Sequence, residues 1–487
     1  MFINRLSRLV RLAALSAAFV LCVSGSAVSA RAAESVALFP NVTQEMTNPA
    51  YWAAIQEMKE PGSAVRVLAS PYAIDALNRS FIETPGCSMT DLAAIELRYD
   101  GDRLKAGLAS GWESDRSYFR SSGAIYDMNG NVAGEDFYNA ILANMLSPAL
   151  TGEMYIRYGI CTQRTDIRCA PTMQILTDAP GDNDFDYFQL AALRLGEPVV
   201  IKAVSTDGLW YYIASSSCGG WVRASDIALC RTREEWLDAW QIPNDLLLVV
   251  TQGKIYLERS NNNSESSGKM LTMGTTLRIA RDWEYSEKVT NRSSIQNYAV
   301  WLPLRDENGY YTKKVALISQ HNSVSVGYLP LTQQNILNVA FSMLGDAYGW
   351  GSMLDSADCS AYTRDIYKCF GLDLPRNTTW QQAMPVVKCD MGELPQNEAG
   401  DVYKKALLDT LPAGTLLYFP GHTMMYLGTV DGQYYVISAV SSMANPETGK
   451  YLRVRSVALN TLEIRRLSGK TWMNCLNMAI IPYQRAQ

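Results

Sequence analysis

Histidine is almost missing from this chain: 487 residues contain two, His321 and His422. There is also no Cys-x-x-Cys pair, so a zinc cluster, which needs closely spaced thiolates and imidazoles, finds no support and no metal or other cofactor is expected. A basic block and an acidic tail are both absent and the net charge is only −5, which argues against a nucleic-acid partner. Beyond the N-terminal leader no apolar run approaches the roughly 20 residues that a bilayer span needs. With 48% apolar and 19% charged residues, the composition is that of a globular protein rather than a disordered or fibrous one. Its length predicts about three domains.

The N-terminus carries a clear pattern. Arg5, Arg8 and Arg11 precede an apolar run from Leu12 to Val23, and small residues follow from Ser24 to Ala33. Basic, apolar, then small is the layout of a secretory signal peptide, with cleavage expected near Ala30. Cys22 follows the bulky Leu21, where lipoprotein processing needs a small residue. The expected product is exported, periplasmic or extracellular and cell-wall associated, with no stable membrane span after cleavage. Ten cysteines less Cys22 leave nine, and an oxidising compartment permits four disulfides and one free thiol. Cys161 with Cys169, and Cys218 with Cys230, are close enough in sequence to form local pairs.

Three textures follow one another along the chain. Up to about Ile160, helical spacing recurs, as in Tyr51, Ile55 and Met58, or in Phe137, Ile141, Met145 and Leu146. Short strands with turn signals come next: Gly196 to Ile201, the hairpin Ser205 to Gly208, Trp210 to Ile213, and Gly219 to Val222. Five short strands in that order resemble a bacterial SH3-like barrel, and a second round runs from Asn244 to Leu331 around the polar loop 261–267. From Thr332 the pattern turns to α+β. Thr332 predicts an N-cap for a helix bearing Ile336, Ala340, Met343 and Leu344, stopped by Gly345. A second helix begins at Asp358-Cys359-Ser360 and presents Tyr362, Ile366 and Phe370, and three strands follow: 415–419, 422–427 and 434–440.

Chemistry concentrates in that last segment. A thiolate is the working nucleophile of a cysteine enzyme, and the start of a helix favours an anion, so Cys359 is expected to have a lowered pKa. His422 falls on a strand after the turn Pro420-Gly421, in alternation with Met424 and Tyr426. Cysteine first and histidine downstream on a sheet is the order of papain-like enzymes.

Together Tyr348-Gly349-Trp350-Gly351, Asp358-Cys359-Ser360, Leu374-Pro375-Arg376-Asn377-Thr378, Gly421-His422 and Tyr426-Leu427-Gly428 resemble the NlpC-type family of papain-like peptidoglycan peptidases. One branch of that family carries two SH3-like barrels behind a helical N-terminal segment, so the resemblance covers nearly the whole mature chain. With the signal peptide read over 1–30, it implies a helical domain over 31–160, SH3-like domains over 161–241 and 242–331, and a papain-like peptidase domain over 332–487. It implies that Cys359 attacks the scissile carbonyl and His422 carries the proton, with the oxyanion held by the Cys359 N–H and supplemented by Tyr348. The implied partners are peptidoglycan stem peptides, cut between γ-D-Glu and the diamino acid in fragments with a free N-terminal L-Ala. Asp358 would then hold the terminal amine, Ser360 and Thr378 would line the D-Glu pocket, and Tyr212 is the candidate from the first barrel. A non-catalytic cell-wall binding protein, or a thiol amidase or acyltransferase on the same fold, is the alternative.

The departure from the family pattern is the third catalytic member. Ser438 stands where a second histidine or other polar group usually orients the base. Register decides whether it can serve. A two-residue turn at Asp431-Gly432 would point Ser438 away from His422, whereas a three-residue loop from Val430 would set it diagonally on the same face. His321, the other histidine, lies upstream in the second barrel.

Overall fold

The computed structural model describes residues 36–121, 123–286 and 288–486, so the expected signal peptide lies outside the described residues. The chain divides into a unit over 1–39, of which only irregular residues 36–39 are described, and a unit from Pro40 onward that holds everything below. Among the described residues no helix is long and apolar enough to cross a membrane.

Four helices open the second unit: α1 (Pro49–Lys59), α2 (Pro71–Glu83), α3 (Gly101–Ser121) and α4 (Glu135–Met145). Asn48 caps α1 by accepting from the Ala50 N–H, and Pro49 sits in the first turn, where its missing N–H costs nothing. The buried face of α1 is Trp52, Ala53 and Gln56, while Met58, expected on that face, is 74% exposed. Trp52 sets the rotation. Its indole donates to the Met46 carbonyl at 2.8 Å and its ring packs on Tyr435 at 5.1 Å. In α4, Ile141 and Met145 are buried as their spacing predicts, in one core with Trp112 and Phe119 of α3 and with Trp210 and Trp221 of the next module. The helical segment therefore shares a core with the first sheet rather than standing apart.

That sheet has seven antiparallel strands: β1 (Arg157–Cys161), β2 (Thr165–Arg168), β3 (Gln189–Leu193), β4 (Pro198–Val204), β5 (Trp210–Ala214), β6 (Gly219–Arg223) and β7 (Ile227–Cys230), in the order β7-β1-β4-β5-β6-β2-β3. Ala191 and Leu193 from one edge and Ile227 from the other join a single apolar cluster with Ile201 and Ile213, so the sheet curls around its own core. A second module follows, with β8 (Leu247–Val250), β9 (Thr276–Ile279), β10 (Asn297–Arg305), β11 (Tyr311–Ser319) and β12 (Val324–Val326) in the order β11-β10-β9-β8-β12. The polar loop 261–267 joins a small hairpin, Lys254–Tyr256 with Met270–Thr272, at its side.

The C-terminal region sets helices against a six-stranded antiparallel sheet. Its helices include α5 (Gln333–Phe341), α6 (Cys359–Lys368) and α7 (Thr378–Ala383). Thr332 caps α5 by accepting from the Asn335 N–H, and Ile336 and Ala340 are fully buried. The strands β13 (Val386–Asp390), β14 (Leu416–Phe419), β15 (His422–Val430), β16 (Gln433–Ala444), β17 (Tyr451–Thr461) and β18 (Met478–Arg485) are ordered β13-β18-β14-β15-β16-β17. Helix α6 buries Tyr362 and Ile366 completely and packs on β15 and β16, which brings the start of the helix to the start of the strand.

Buried polar ties fix the first sheet module to this region. Arg164 donates to the carbonyls of Ser352 at 2.7 Å and Ser356 at 3.0 Å, and Gln189 donates to the Gly351 carbonyl at 3.1 Å. Arg194 joins Asp365 and also donates to the Met273 carbonyl at 2.8 Å. Such charge-assisted bonds in a dry interface hold the module in one orientation over the C-terminal region.

Candidate active site

Cys359 is the first residue of α6, and the reason is its neighbour. Asp358 has extended backbone and its carboxylate accepts from the Ala361 N–H at 2.8 Å, an N-cap that starts the helix at the cysteine. Both oxygens of Asp358 also meet Arg376, at 2.6 and 3.2 Å, and Ser360 donates to it at 3.0 Å. Gln381, fully buried on α7, ties the segment carrying Arg376 to the helix by donating to the carbonyls of Pro375 at 3.0 Å and Ser360 at 3.1 Å. Burial works against charge on Asp358, but Arg376 and these hydrogen bonds prevail and hold its carboxyl below the ordinary range.

The thiol itself behaves contrary to expectation. Burial, then the Asp358 charge, push Cys359 up to about 12, against the smaller downward pull of N–H groups from Thr423 and Ser360. The helix start therefore does not make a resting thiolate here, because burial, reinforced by the carboxylate that caps the helix, opposes it. The contact with the Thr423 N–H places the sulfur at the beginning of β15, the strand that His422 opens.

His422 packs against two rings that also touch each other, Phe419 at 5.2 Å and Trp472 at 5.0 Å. Burial and the Arg466 guanidinium lower its pKa to about 3, with Asp358 acting the other way. Thiol and imidazole thus rest as a neutral pair. The His422 Nε2 lies 3.1 Å from the Ser438 Oγ, and Ser438 is fully buried. When Nε2 carries its proton toward that oxygen, Nδ1 remains the basic nitrogen.

The register behind this contact differs from both anticipated routes. Val430 pairs with Gln433 across a two-residue turn, Asp431-Gly432, with φ of 48° and 72°. That turn alone would have faced Ser438 away. Between Tyr426 and Gly428, however, a bulge at Leu427 shifts the pairing by one residue, and Ser438 returns to the face of His422. The bulge has its own support: Gln56 of α1, 4% exposed, donates to the Leu427 carbonyl at 3.0 Å. Gly428 has φ of 142°, and a Cβ there would stand 3.2 Å from the Gln56 amide, so the approach requires glycine.

Two results are expected. Gln56→Leu leaves the Leu427 carbonyl unpartnered, at a cost of about 1–3 kcal/mol by urea unfolding, and lowers kcat with little change in KM; an unchanged kcat would mean the bulge holds without it. Ser438→Ala removes one neutral hydrogen bond and slows kcat roughly three- to tenfold, and an unaltered rate would remove Ser438 from the mechanism.

Cys359, His422 and Tyr348 line one cleft of about 750 Å³. Asp358, Ser360, Thr378 and Tyr212 are not among its lining residues. Asp358 and Ser360 are buried beneath it and engaged with Arg376 and each other. Thr378 begins α7 and accepts from Gln382 through its carbonyl. Tyr212 packs at a tilt against Trp221, at 5.3 Å, in the core shared with the helical segment. His321 is exposed on the connection between β11 and β12. An acidic wall comes from the connection before β3: Asp178, Asp182 and Asp184 all line the cleft. Its only local signal is acidic density in a turn, and nothing nearby says which distant surface the turn meets.

All nine cysteines of the described residues are free thiols. Cys161 belongs to the core of the first sheet, while Cys169 packs with the helical segment. Cys230 sits on β7 opposite Tyr158, and Cys218 faces the Arg364 and Arg376 side chains. Neither local pairing is formed, so the odd-thiol count does not single out Cys359.

Comparison with known proteins identifies two of these modules. A model of the NlpC/P60 family matches residues 345–480, and a model of the SH3 domain, SH3b1 type, matches 176–223. Among solved structures, the chain is similar to an NlpC/P60 endopeptidase from Photobacterium damselae subsp. piscicida at 18% identity and a TM-score of 0.67, covering 89% of this chain and 97% of that one. An NlpC/P60 family protein from Bacillus cereus ATCC 10987 matches at 17% identity and a TM-score of 0.41, covering 66% and 98%. No curated protein matches the chain. This chain therefore joins an SH3 domain to an NlpC/P60 domain, the hydrolase domain of a cysteine-peptidase family.

Proposed function

We propose that this protein is an exported cysteine endopeptidase that hydrolyses peptidoglycan stem peptides at the γ-D-Glu–diamino acid bond of fragments with a free N-terminal L-Ala. The observation that carries the reading is a thiol and an imidazole in one cleft, with an acidic wall supplied by the SH3 domain. Of that wall, Asp182 is paired with Arg453 at 2.7 Å and Asp184 with Arg455. Asp178 is exposed and has a tyrosine hydroxyl, that of Tyr187, at 3.4 Å. Asp178 is thus the carboxylate best placed for a substrate ammonium. Asp358, to which the family resemblance assigns that part, is occupied by Arg376 and serves to start the helix.

The reaction follows from the neutral pair. As the Cys359 sulfur attacks the γ-carbonyl of D-Glu, His422 takes the thiol proton, so no resting thiolate is required. The oxyanion is held by the Cys359 N–H, one of the donors left without an intrahelical partner at a helix start, and by the Tyr348 hydroxyl. Collapse breaks the C–N bond, and the imidazolium returns its proton to the departing amine. Water, deprotonated by His422, then cleaves the thioester and frees L-Ala-γ-D-Glu, and the imidazolium returns that proton to the departing Cys359 sulfur. Ser438 accepts from Nε2 and keeps the ring aimed through both steps.

The test compares L-Ala-γ-D-Glu-diaminopimelate with its N-acetylated form. Release of diaminopimelate from the free amine, and at least a hundredfold less from the acetylated peptide, is expected, since acetylation removes the charge that Asp178 would pair. Equal release from both would exclude the amine requirement, and release from neither would exclude the peptidase reading.

A further inference from the structure

Four basic side chains line the cleft: Arg453, Arg455, Arg466 and Lys470. Three have polar partners. Arg453 and Arg455 are paired with Asp182 and Asp184, and the Lys470 ammonium donates to the Gln396 side-chain amide at 2.7 Å. Arg466 is different. Among the described residues no carboxylate lies within ion-pair distance of it, and its guanidinium rests over the Phe419 ring at 5.0 Å. Phe419 is also a ring packed against His422, so the cation is held one aromatic ring away from the base. The cleft is therefore polarised, with a carboxylate that no cation pairs among the described residues, that of Asp178, on the SH3 wall and an uncompensated guanidinium on the wall beside the imidazole.

The chemistry of the leaving group says what such a cation meets. His422 must hand its proton to the departing amine, so the amine nitrogen has to lie against the imidazole. In an α-amino acid the carboxylate hangs from the same carbon as that nitrogen, placing its oxygens on the order of 3 Å further on. A guanidinium matches a carboxylate with a planar pair of donors.

Resting on the peptidase reading above, we propose that Arg466 binds the free carboxylate of the departing diamino acid and makes the enzyme selective for fragments that end at that residue. A fragment extended by a further amino acid presents an amide there and leaves the guanidinium without a counter-charge. The arrangement has a second consequence. The Arg466 charge disfavours protonation of His422 in the free protein, and a substrate carboxylate beside it offsets that effect. The base then strengthens when the correct substrate is seated.

The experiment uses the full chain with L-Ala-γ-D-Glu-diaminopimelate and the same peptide carrying a carboxamide next to the scissile nitrogen. The wild-type protein is expected to favour the acid by tenfold or more in kcat/KM. In Arg466→Gln that preference falls to near unity, mainly through KM for the acid, and Arg466→Lys keeps part of it. No preference in the wild type overturns the proposal, as does a preference in Arg466→Gln as large as the wild type's. Efficient hydrolysis of both peptides with no preference would leave the peptidase reading standing while removing this site, whereas hydrolysis of neither removes both.

Discussion

Cys359→Ala is expected to reduce release of diaminopimelate by on the order of 10⁶-fold in kcat, to the background rate, while urea unfolding stays within about 1 kcal/mol of wild type. The two halves of that expectation have separate causes. The sulfur is the atom that bonds to the carbonyl carbon, and no other thiol among the described residues lines the cleft apart from Cys475. Structurally the residue contributes little: Asp358 caps the helix without it, and the apolar face of α6 is Tyr362 and Ile366. Substantial residual activity would move the nucleophile elsewhere, and Cys475→Ala is the natural control.

Arg376→Met is expected to have the largest effect on stability, about 3–5 kcal/mol at pH 7. Asp358 and Arg376 are 7% and 4% exposed, and removing the cation strands a carboxylate in a dry site. The pH dependence carries the sign. In the wild type the Asp358 carboxyl is held below its ordinary value, so its contribution is present above the unfolded pKa and is lost as pH falls through the folded one. In the variant, burial acts without Arg376 and the folded pKa rises above the unfolded value. The folded variant then takes up a proton, and its deficit at pH 5 is smaller than at pH 7. Asp358→Asn in the same chain restores much of the loss, because asparagine still caps a helix and carries no charge. A deficit independent of pH would indicate that packing of the Arg376 stem, not its charge, is what matters.

How much of this site the sequence reveals varies from residue to residue. Cys359 is legible because a capping aspartate and an apolar helical stripe meet at it, and His422 because histidine is so scarce. Ser438 is legible only as a position. Whether it faces the base depends on one bulged residue, Leu427, whose carbonyl is bonded by Gln56, 371 positions upstream. Local pattern carries no trace of such a contact. The acidic wall before β3 has the same character, since its place over the cleft is set by Arg164, Gln189 and Arg194 reaching across the module boundary.

Physical environment defeats other expectations. A helix start favours a thiolate in isolation, yet burial opposes the charge here and the carboxylate that creates this start adds to that effect. Arg376 stands inside a motif quoted from the sequence, but its part as the counter-charge to Asp358 appears only when the segment after α6 folds back over the helix. The cysteine arithmetic fails for a related reason: Cys161 and Cys169 are eight positions apart in sequence and belong to different cores.

The central claim is that Cys359 carries the acyl group during peptide cleavage. It is tested by mixing the protein with L-Ala-γ-D-Glu-diaminopimelate, quenching in acid within milliseconds, and locating the acyl group by mass spectrometry. The account predicts an L-Ala-γ-D-Glu thioester on the peptide containing Cys359, and loss of diaminopimelate release once that thiol has been carbamidomethylated. An acyl group on another residue, or undiminished release after Cys359 has been fully blocked, would contradict it.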